Sequence, residues 1–245
     1  NNITTFTPGT GYLVAYASTG TKQFNGELNT ADVTASNLTI STGDNYGWNL
    51  LGNPFPSAIR WNDGMDWIVP ATFAQSAKVW NEPTAAYVDI APSGIIPAMN
   101  GFMVHVESGS PASLTIPVAA RKHDPQAWYK DSGEKLVLVA YDREGNTAQQ
   151  CVIGANEQAT AGYDPVFDSR FLAGYAPMFY AVSGSDYLST STLPALNTES
   201  VIELGFVKND AQTHVSTNTQ SSMRNDLRPG NRSRRVRGTP TAPTG

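Results

Sequence analysis

The sequence Gly-Trp-Asn-Leu-Leu-Gly-Asn-Pro-Phe-Pro, residues 47–56, decides the fold of this 245-residue chain. Its first half is a short apolar strand, and its second half brackets Phe55 between Pro54 and Pro56. Each proline fixes its own φ, removes a backbone donor and restricts the preceding residue to extended geometry. The segment is therefore predicted to leave its sheet abruptly and in a fixed direction, as a rigid structural corner.

On both sides of this corner, short β-prone runs alternate with turn residues, and helical periodicity is nearly absent. Asp-Arg-Glu-Gly-Asn at residues 142–146 predicts a hairpin between two of the runs. The pattern predicts an all-β fold, an antiparallel β-sandwich of jelly-roll type. The predicted strands are 12–17, 33–40, 48–51, 102–106, 114–118, 136–141, 149–153, 178–182 and 201–207.

Changes in composition divide the chain into three regions. Residues 1–120 are predicted to be a first β-sandwich region and residues 134–212 a second β-rich region, separated by a polar stretch. These regions would be two apposed sandwich domains, or one sandwich followed by a second. The tail 213–245 carries six arginines and one acidic residue, a charge of about +5, while the rest carries about −10. Because the tail is nearly devoid of apolar residues, it is predicted to be disordered.

Several classes of function are disfavoured by what the sequence lacks. The chain has no run of eighteen apolar residues, so membrane insertion is not expected. The arginines of the tail have no interleaved aromatic residues, so nucleic acid is not an expected partner. There is no Gly-x-Ser-x-Gly elbow, and the three histidines show no metal-ligand spacing. The single cysteine, Cys151, is interpreted as a buried small hydrophobe.

The aromatic residues are the first candidates for a binding site. Trp61, Trp67 and Trp128, with the adjacent Tyr129, lie in polar, loop-like contexts and could present ring faces on which sugars stack. Trp48 and Trp80 lie in apolar strand-like contexts and are predicted to belong to the core. Burial of all the tryptophans would favour a purely structural module instead.

Two carboxylates are candidate calcium ligands. Asp164 and Asp168 lie in Gly-Tyr-Asp-Pro-Val-Phe-Asp, residues 162–168, and could coordinate calcium from a loop. Capping of the turn is the favoured interpretation, because short acidic side chains accept bonds from nearby backbone donors. Calcium is the one cofactor considered.

A set of motifs, taken in order, resembles a domain of large secreted Bacteroidota proteins that precedes a type IX secretion sorting domain. The resemblance implies a β-sandwich and an extracellular or surface-attached parent protein, and it carries no catalytic residues. Such domains usually have strands before Pro8 and after Asp210. The chain is therefore expected to be a fragment, with a tail that is either a native extension or foreign sequence. The motifs are residues 8–14, 47–59, 79–81, 96–104, 162–168 and 201–206.

Together these observations predict a non-catalytic accessory module, outside the cell or on its outer surface, within a larger parent polypeptide. Its expected partner is a polysaccharide or cell-surface glycan, bound through exposed aromatic residues. The alternatives are a structural or adhesive spacer and, as a third hypothesis, a glycan-active enzyme.

Overall fold

A computed structural model describes residues 5–14, 25–40, 46–123, 135–197 and 200–208, together with the segments 217–218 and 234–237. Within these ranges the chain is all-β, with two short 3-10 helices at Glu82–Thr84 and Val118–Ala120 and no α-helix. None of the helices described is long or apolar enough to cross a membrane. The strands are β1 Val33–Leu38, β2 Trp48–Gly52, β3 Ala58–Arg60, β4 Ala77–Asn81, β5 Ala86–Ile90, β6 Ile95–Ile96, β7 Gly101–His105, β8 Ala112–Ile116, β9 Arg121–Lys122, β10 Lys135–Tyr141, β11 Ala148–Ala155, β12 Ser169–Arg170, β13 Met178–Ser183, β14 Asp186–Leu193, β15 Val201–Val207, β16 Thr217–Asn218 and β17 Arg234–Arg237.

The strands form four sheets that are mostly antiparallel, consistent with the predicted β-sandwich. Their orders are β1-β8, β2-β7-β4-β5, β6-β3-β9 and β16-β10-β11-β14-β13-β15-β17, with β12 paired to β14. The one parallel pair among the described registers is β11 with β14. The chain divides into two compact units, residues 1–79 with 90–130 and residues 80–89 with 131–245.

The predicted proline corner is confirmed in the first unit. β2 ends at Gly52 in the four-stranded sheet, and β3 begins at Ala58 in a different, three-stranded sheet. Between them the buried Asn53 donates from Nδ2 to the carbonyls of Ser57 and Pro97, each at 2.9 Å. Its Oδ1 accepts the Phe55 N–H at 3.0 Å, and the Phe55 ring is buried. One amide side chain therefore closes the turn while the prolines direct it.

The second unit is organised around a single large sheet. The predicted hairpin joins β10 to β11, which pair in register from Lys135↔Gly154 to Tyr141↔Ala148. Asp142 caps its turn by accepting the N–H groups of Asn146 and Thr147 at 2.8 and 3.1 Å. One face of this sheet contributes a buried apolar cluster: Leu138, Ala140, Cys151, Ile153, Phe179, Ala181 and Leu188.

Three features of the structure are not among the predictions from sequence. The second unit begins at residue 131 and also contains residues 80–89, which the sequence analysis assigned to the first region. Tyr12, Leu13 and Val14 form no strand, although Thr10 makes an isolated bridge with Leu51. Of the tail, only β16 and β17 are described, and they pair with β10 and β15. The prediction of disorder for the remaining tail lies outside the described residues.

Candidate binding site

The structure buries Trp61 and Trp67, which the sequence offered as candidate sugar-stacking residues. Trp61 is 0% and Trp67 3% exposed, and their rings meet edge to face with centroids 4.9 Å apart. The Trp61 indole Nε1–H donates to the Gln75 carbonyl at 2.7 Å, so its polar atom is satisfied inside the protein. Phe102 packs against the same ring at 6.0 Å. Both tryptophans therefore belong to the core of the first unit and offer no face to a ligand.

A carboxylate explains how a polar loop buries Trp67. Asp63 Oδ1 accepts the backbone N–H groups of Met65, Asp66 and Trp67 at 3.1, 2.8 and 3.0 Å. Burial by itself would raise the pKa of Asp63, but these bonds and Lys122 outweigh it and lower the pKa below its usual value. The polar residues of this loop thus fold its backbone and direct the Trp67 ring inward.

The other aromatic residues singled out in the sequence are either untested or less buried than expected. Trp128 and Tyr129 lie outside the described residues. Trp48 and Trp80, predicted to be core, are only half-buried. Trp48 meets the His105 ring edge to face at 5.0 Å, and Lys78 Nζ lies 5.6 Å from its centroid.

Trp80, Tyr87 and Tyr175, here called the aromatic cluster, form the best candidate site. All three belong to the second unit. Trp80 contacts Tyr87 at 5.2 Å with an interplanar angle of 70°, and it contacts Tyr175 at 5.7 Å with an angle of 86°. Tyr175 is 77% exposed, whereas Trp80 and Tyr87 are half-buried. A tyrosine this exposed presents most of its ring to solvent beside a supported indole.

The backbone that carries the aromatic cluster is held by one carbonyl. Trp80 and Tyr87 lie on β4 and β5, joined by the 3-10 turn, after which Ala85 adopts a left-handed conformation with φ 52°. The Ala85 carbonyl accepts the N–H groups of Tyr175 and Ala176 at 2.9 and 3.0 Å. These bonds fasten the loop bearing Tyr175 to the turn between the strands.

Gly174 permits the close approach of this loop. A Cβ at position 174 would lie 2.7 Å from the Ala85 carbonyl oxygen and 3.0 Å from the Trp80 ring. Any larger residue would therefore push Tyr175 away from Trp80.

The polar groups around the aromatic cluster are acidic or phenolic. The Trp80 Nε1–H donates to Glu82 Oε2 at 2.6 Å, and Glu82 is exposed. Burial raises the pKa of the Tyr87 phenol, and the neighbouring Tyr175 raises it further. The site therefore combines three rings, two hydroxyl groups and one surface carboxylate.

Sequence reasoning missed this cluster for an identifiable reason. Trp80 follows Val79 in an apolar run and has the local appearance of a core residue, while Tyr175 lies in a short loop without periodicity. Glu-Pro-Thr at residues 82–84 was the available signal, because a turn there brings Trp80 and Tyr87 onto neighbouring strands. Nothing local indicates that Tyr175 joins them.

Asp164 and Asp168 form a backbone cap. The two oxygens of Asp168 accept the N–H groups of Asp164 at 2.7 Å and Thr192 at 2.6 Å, and Asp164 Oδ1 accepts the Val166 N–H at 3.0 Å. Burial raises the pKa of Asp168, and the nearby Asp164 raises it further, against the lowering effect of the two N–H groups. In the part of the chain that the structure describes, no three His, Cys, Asp or Glu side chains are grouped to hold a metal ion.

Among the described residues, His105 and Cys151 are both buried in structural contacts. His105 is buried, with Nε2 2.9 Å from the Tyr46 carbonyl and Nδ1 3.1 Å from Glu107 Oε1. Both ring nitrogens are therefore occupied. Burial raises the pKa of the Cys151 thiol to about 12, so it is not a nucleophile at neutral pH.

Comparison with known proteins adds no family assignment: no protein-family model, no curated protein and no solved structure matches this chain.

Proposed function

We propose that the protein is a non-catalytic module that binds a polysaccharide or cell-surface glycan through the aromatic cluster. The observation that supports this is the exposed Tyr175 ring beside the half-buried Trp80 and Tyr87. Sugar rings have apolar C–H faces that pack on aromatic rings, and their hydroxyl groups bond to polar neighbours. The aromatic cluster offers both kinds of contact.

We further propose that the module belongs to a secreted or surface-attached bacterial polypeptide. The support is the resemblance to the domain that precedes type IX sorting signals. Its motifs coincide with structural elements: residues 47–59 include β2, the proline corner and the start of β3, residues 96–104 lead into β7, and residues 201–206 form most of β15.

Replacement of Tyr175 by Ala tests the glycan proposal. Screening the wild-type protein on a glycan array identifies the ligand, and calorimetry then measures its affinity for each variant. Tyr175→Ala should weaken binding by about tenfold or more, because an aromatic anchor of this kind contributes at least ~1.4 kcal/mol. The melting temperature should stay within about 1 °C, because the side chain is largely exposed.

Tyr46→Ala is the matched control, since Tyr46 is also an exposed tyrosine but belongs to the first unit. This variant should bind as the wild type does. If Tyr175→Ala binds glycan normally, or if Tyr46→Ala loses binding equally, the aromatic cluster is not the site.

A structural or adhesive spacer is the second candidate function. The burial of Trp61 and Trp67 favours it, because two of the five tryptophans contribute to stability instead of recognition. A wild-type protein that binds no glycan on the array, while remaining folded, would support the spacer over the binding module.

A further inference from the structure

We propose that the aromatic cluster selects a glycan with positively charged amino groups, a de-N-acetylated amino sugar, over neutral sugars. This inference rests on the proposed function and names the ligand class of the same site. It follows from the angles between the rings and from the charges of the segments that carry them.

The ring angles favour a compact cationic group over a flat neutral sugar face. A flat platform needs rings that continue one plane, whereas Tyr87 and Tyr175 stand at 70° and 86° to Trp80. Rings in several orientations offer their negative faces to a small charged group, and an ammonium group within about 6 Å of an aromatic centroid is attracted to it. A protonated amino substituent of a sugar can make such a contact while the sugar ring packs on Tyr175.

The local charges favour the same ligand. Residues 80–89 contain Glu82 and Asp89 and no basic residue, and residues 171–182 contain no charged residue. The bond to Glu82 occupies the Trp80 Nε1–H, a donor that would otherwise suit the hydroxyl of a neutral sugar. Glu82 is exposed beside the indole and can attract an ammonium group directly. Asp89 is instead engaged with Ser189 and Thr190.

The test compares three β-1,4-linked tetramers by calorimetry with the full chain at pH 6: glucosamine, N-acetylglucosamine and glucose. The glucosamine tetramer should bind about tenfold more tightly than either neutral tetramer at low salt. This advantage should fall to about twofold at 0.5 M NaCl, because salt screens exposed charges. Glu82→Gln keeps an acceptor for the Trp80 N–H and removes the charge. It should reduce the advantage to about twofold by weakening the binding of the glucosamine tetramer more than that of the glucose tetramer.

Glu157→Gln, a change at another exposed carboxylate, is the control and should keep the full preference. Equal binding of all three tetramers, or a preference that survives Glu82→Gln, overturns the inference and leaves the proposed function standing. Failure of every tetramer to bind overturns the inference, and the proposed function falls as well only if the glycan array also shows no binding. A tetralysine peptide that binds as tightly as the glucosamine tetramer shows recognition of charge alone and also overturns the inference.

Discussion

Single polar side chains determine the local folds of this protein. Asn53 closes the proline corner, Asp63 gathers three N–H groups, and Asp168 joins two separate segments of backbone. Such bonds satisfy backbone donors that strands and helices leave unpaired. The corner at Pro54 and Pro56 was predictable because its determinants are adjacent in sequence. The burial of Trp61 was not, because its indole bonds to Gln75, fourteen positions away.

Asp63 should give the first unit a stability that depends on pH. The pKa of Asp63 is lower in the folded protein than in the unfolded chain, where it is about 3.9. The Asp63 charge therefore stabilises the fold fully above the unfolded pKa, and this stabilisation disappears as pH falls through the folded pKa. Asp63→Ala should lower the free energy of unfolding by about 1 kcal/mol at pH 7. This is a low value for the loss of three hydrogen bonds, because the carboxylate is partly exposed. Urea denaturation at several pH values should show this difference shrinking below pH 4.

Asp66→Ala provides the comparison, since Asp66 makes a surface ion pair with Lys122 at 2.7 Å and accepts none of these N–H groups through its side chain. The free energy of unfolding of Asp66→Ala should differ from that of the wild type by less than about 0.5 kcal/mol. A cost for Asp63→Ala that stays constant down to pH 2 would argue against the carboxylate charge as its source.

Among the elements, β14 shows most clearly why sequence prediction was incomplete. Apolar residues predict β10, β11, β13 and β15, but they do not predict β14, Asp-Tyr-Leu-Ser-Thr-Ser-Thr-Leu at residues 186–193. Ser189 and Ser191 of β14 are nevertheless buried. Asp89 accepts the Ser189 hydroxyl at 2.8 Å and the Thr190 hydroxyl at 2.8 Å, so the polar strand finds its partner a hundred residues away. Local sequence contains no sign of such a pairing.

Asp89→Ala should therefore destabilise the second unit. Removing the Asp89 carboxylate takes the shared acceptor away from two hydroxyl groups, one of them on a buried residue. Chemical denaturation should therefore show a free energy of unfolding that is lower by about 2–3 kcal/mol. Asp89→Asn, which keeps one acceptor oxygen, should cost less. The control is Glu157→Ala, at an exposed position, which should leave the free energy of unfolding nearly unchanged. If Asp89→Ala lowers the free energy of unfolding no more than this control does, the bonds from Ser189 and Thr190 add no stability.

The whole chain consists of two compact units that are not consecutive in sequence. The polar stretch after residue 119 predicts a division of the chain, and the two units of the structure change over after residues 79, 89 and 130. Sequence could not predict that residues 80–89 belong to the second unit, because this depends on contacts such as Trp80 with Tyr175 and Asp89 with Ser189. The aromatic cluster was hidden from the sequence for the same reason.

Cys151 can measure the opening of the second unit by itself, because it is the single cysteine and is fully buried. Iodoacetamide should alkylate the native protein far more slowly than the urea-unfolded chain. Leu188→Ala, within the same apolar cluster, should accelerate alkylation roughly a hundredfold, corresponding to about 3 kcal/mol. Leu114→Ala, in the first unit, should accelerate it much less, and equal acceleration by both changes would indicate that the two units unfold together.

The proline corner also has a consequence for chemical ageing. Asparagine side chains deamidate when the nitrogen of the following residue, after losing its hydrogen, attacks the side-chain carbonyl and forms a cyclic imide. The nitrogen after Asn53 belongs to Pro54 and carries no hydrogen, so this route is closed at the residue that holds the corner together. Asn100, by contrast, precedes Gly101, which has no side chain to hinder the attack. The same proline that turns the chain also protects the amide that fixes the turn.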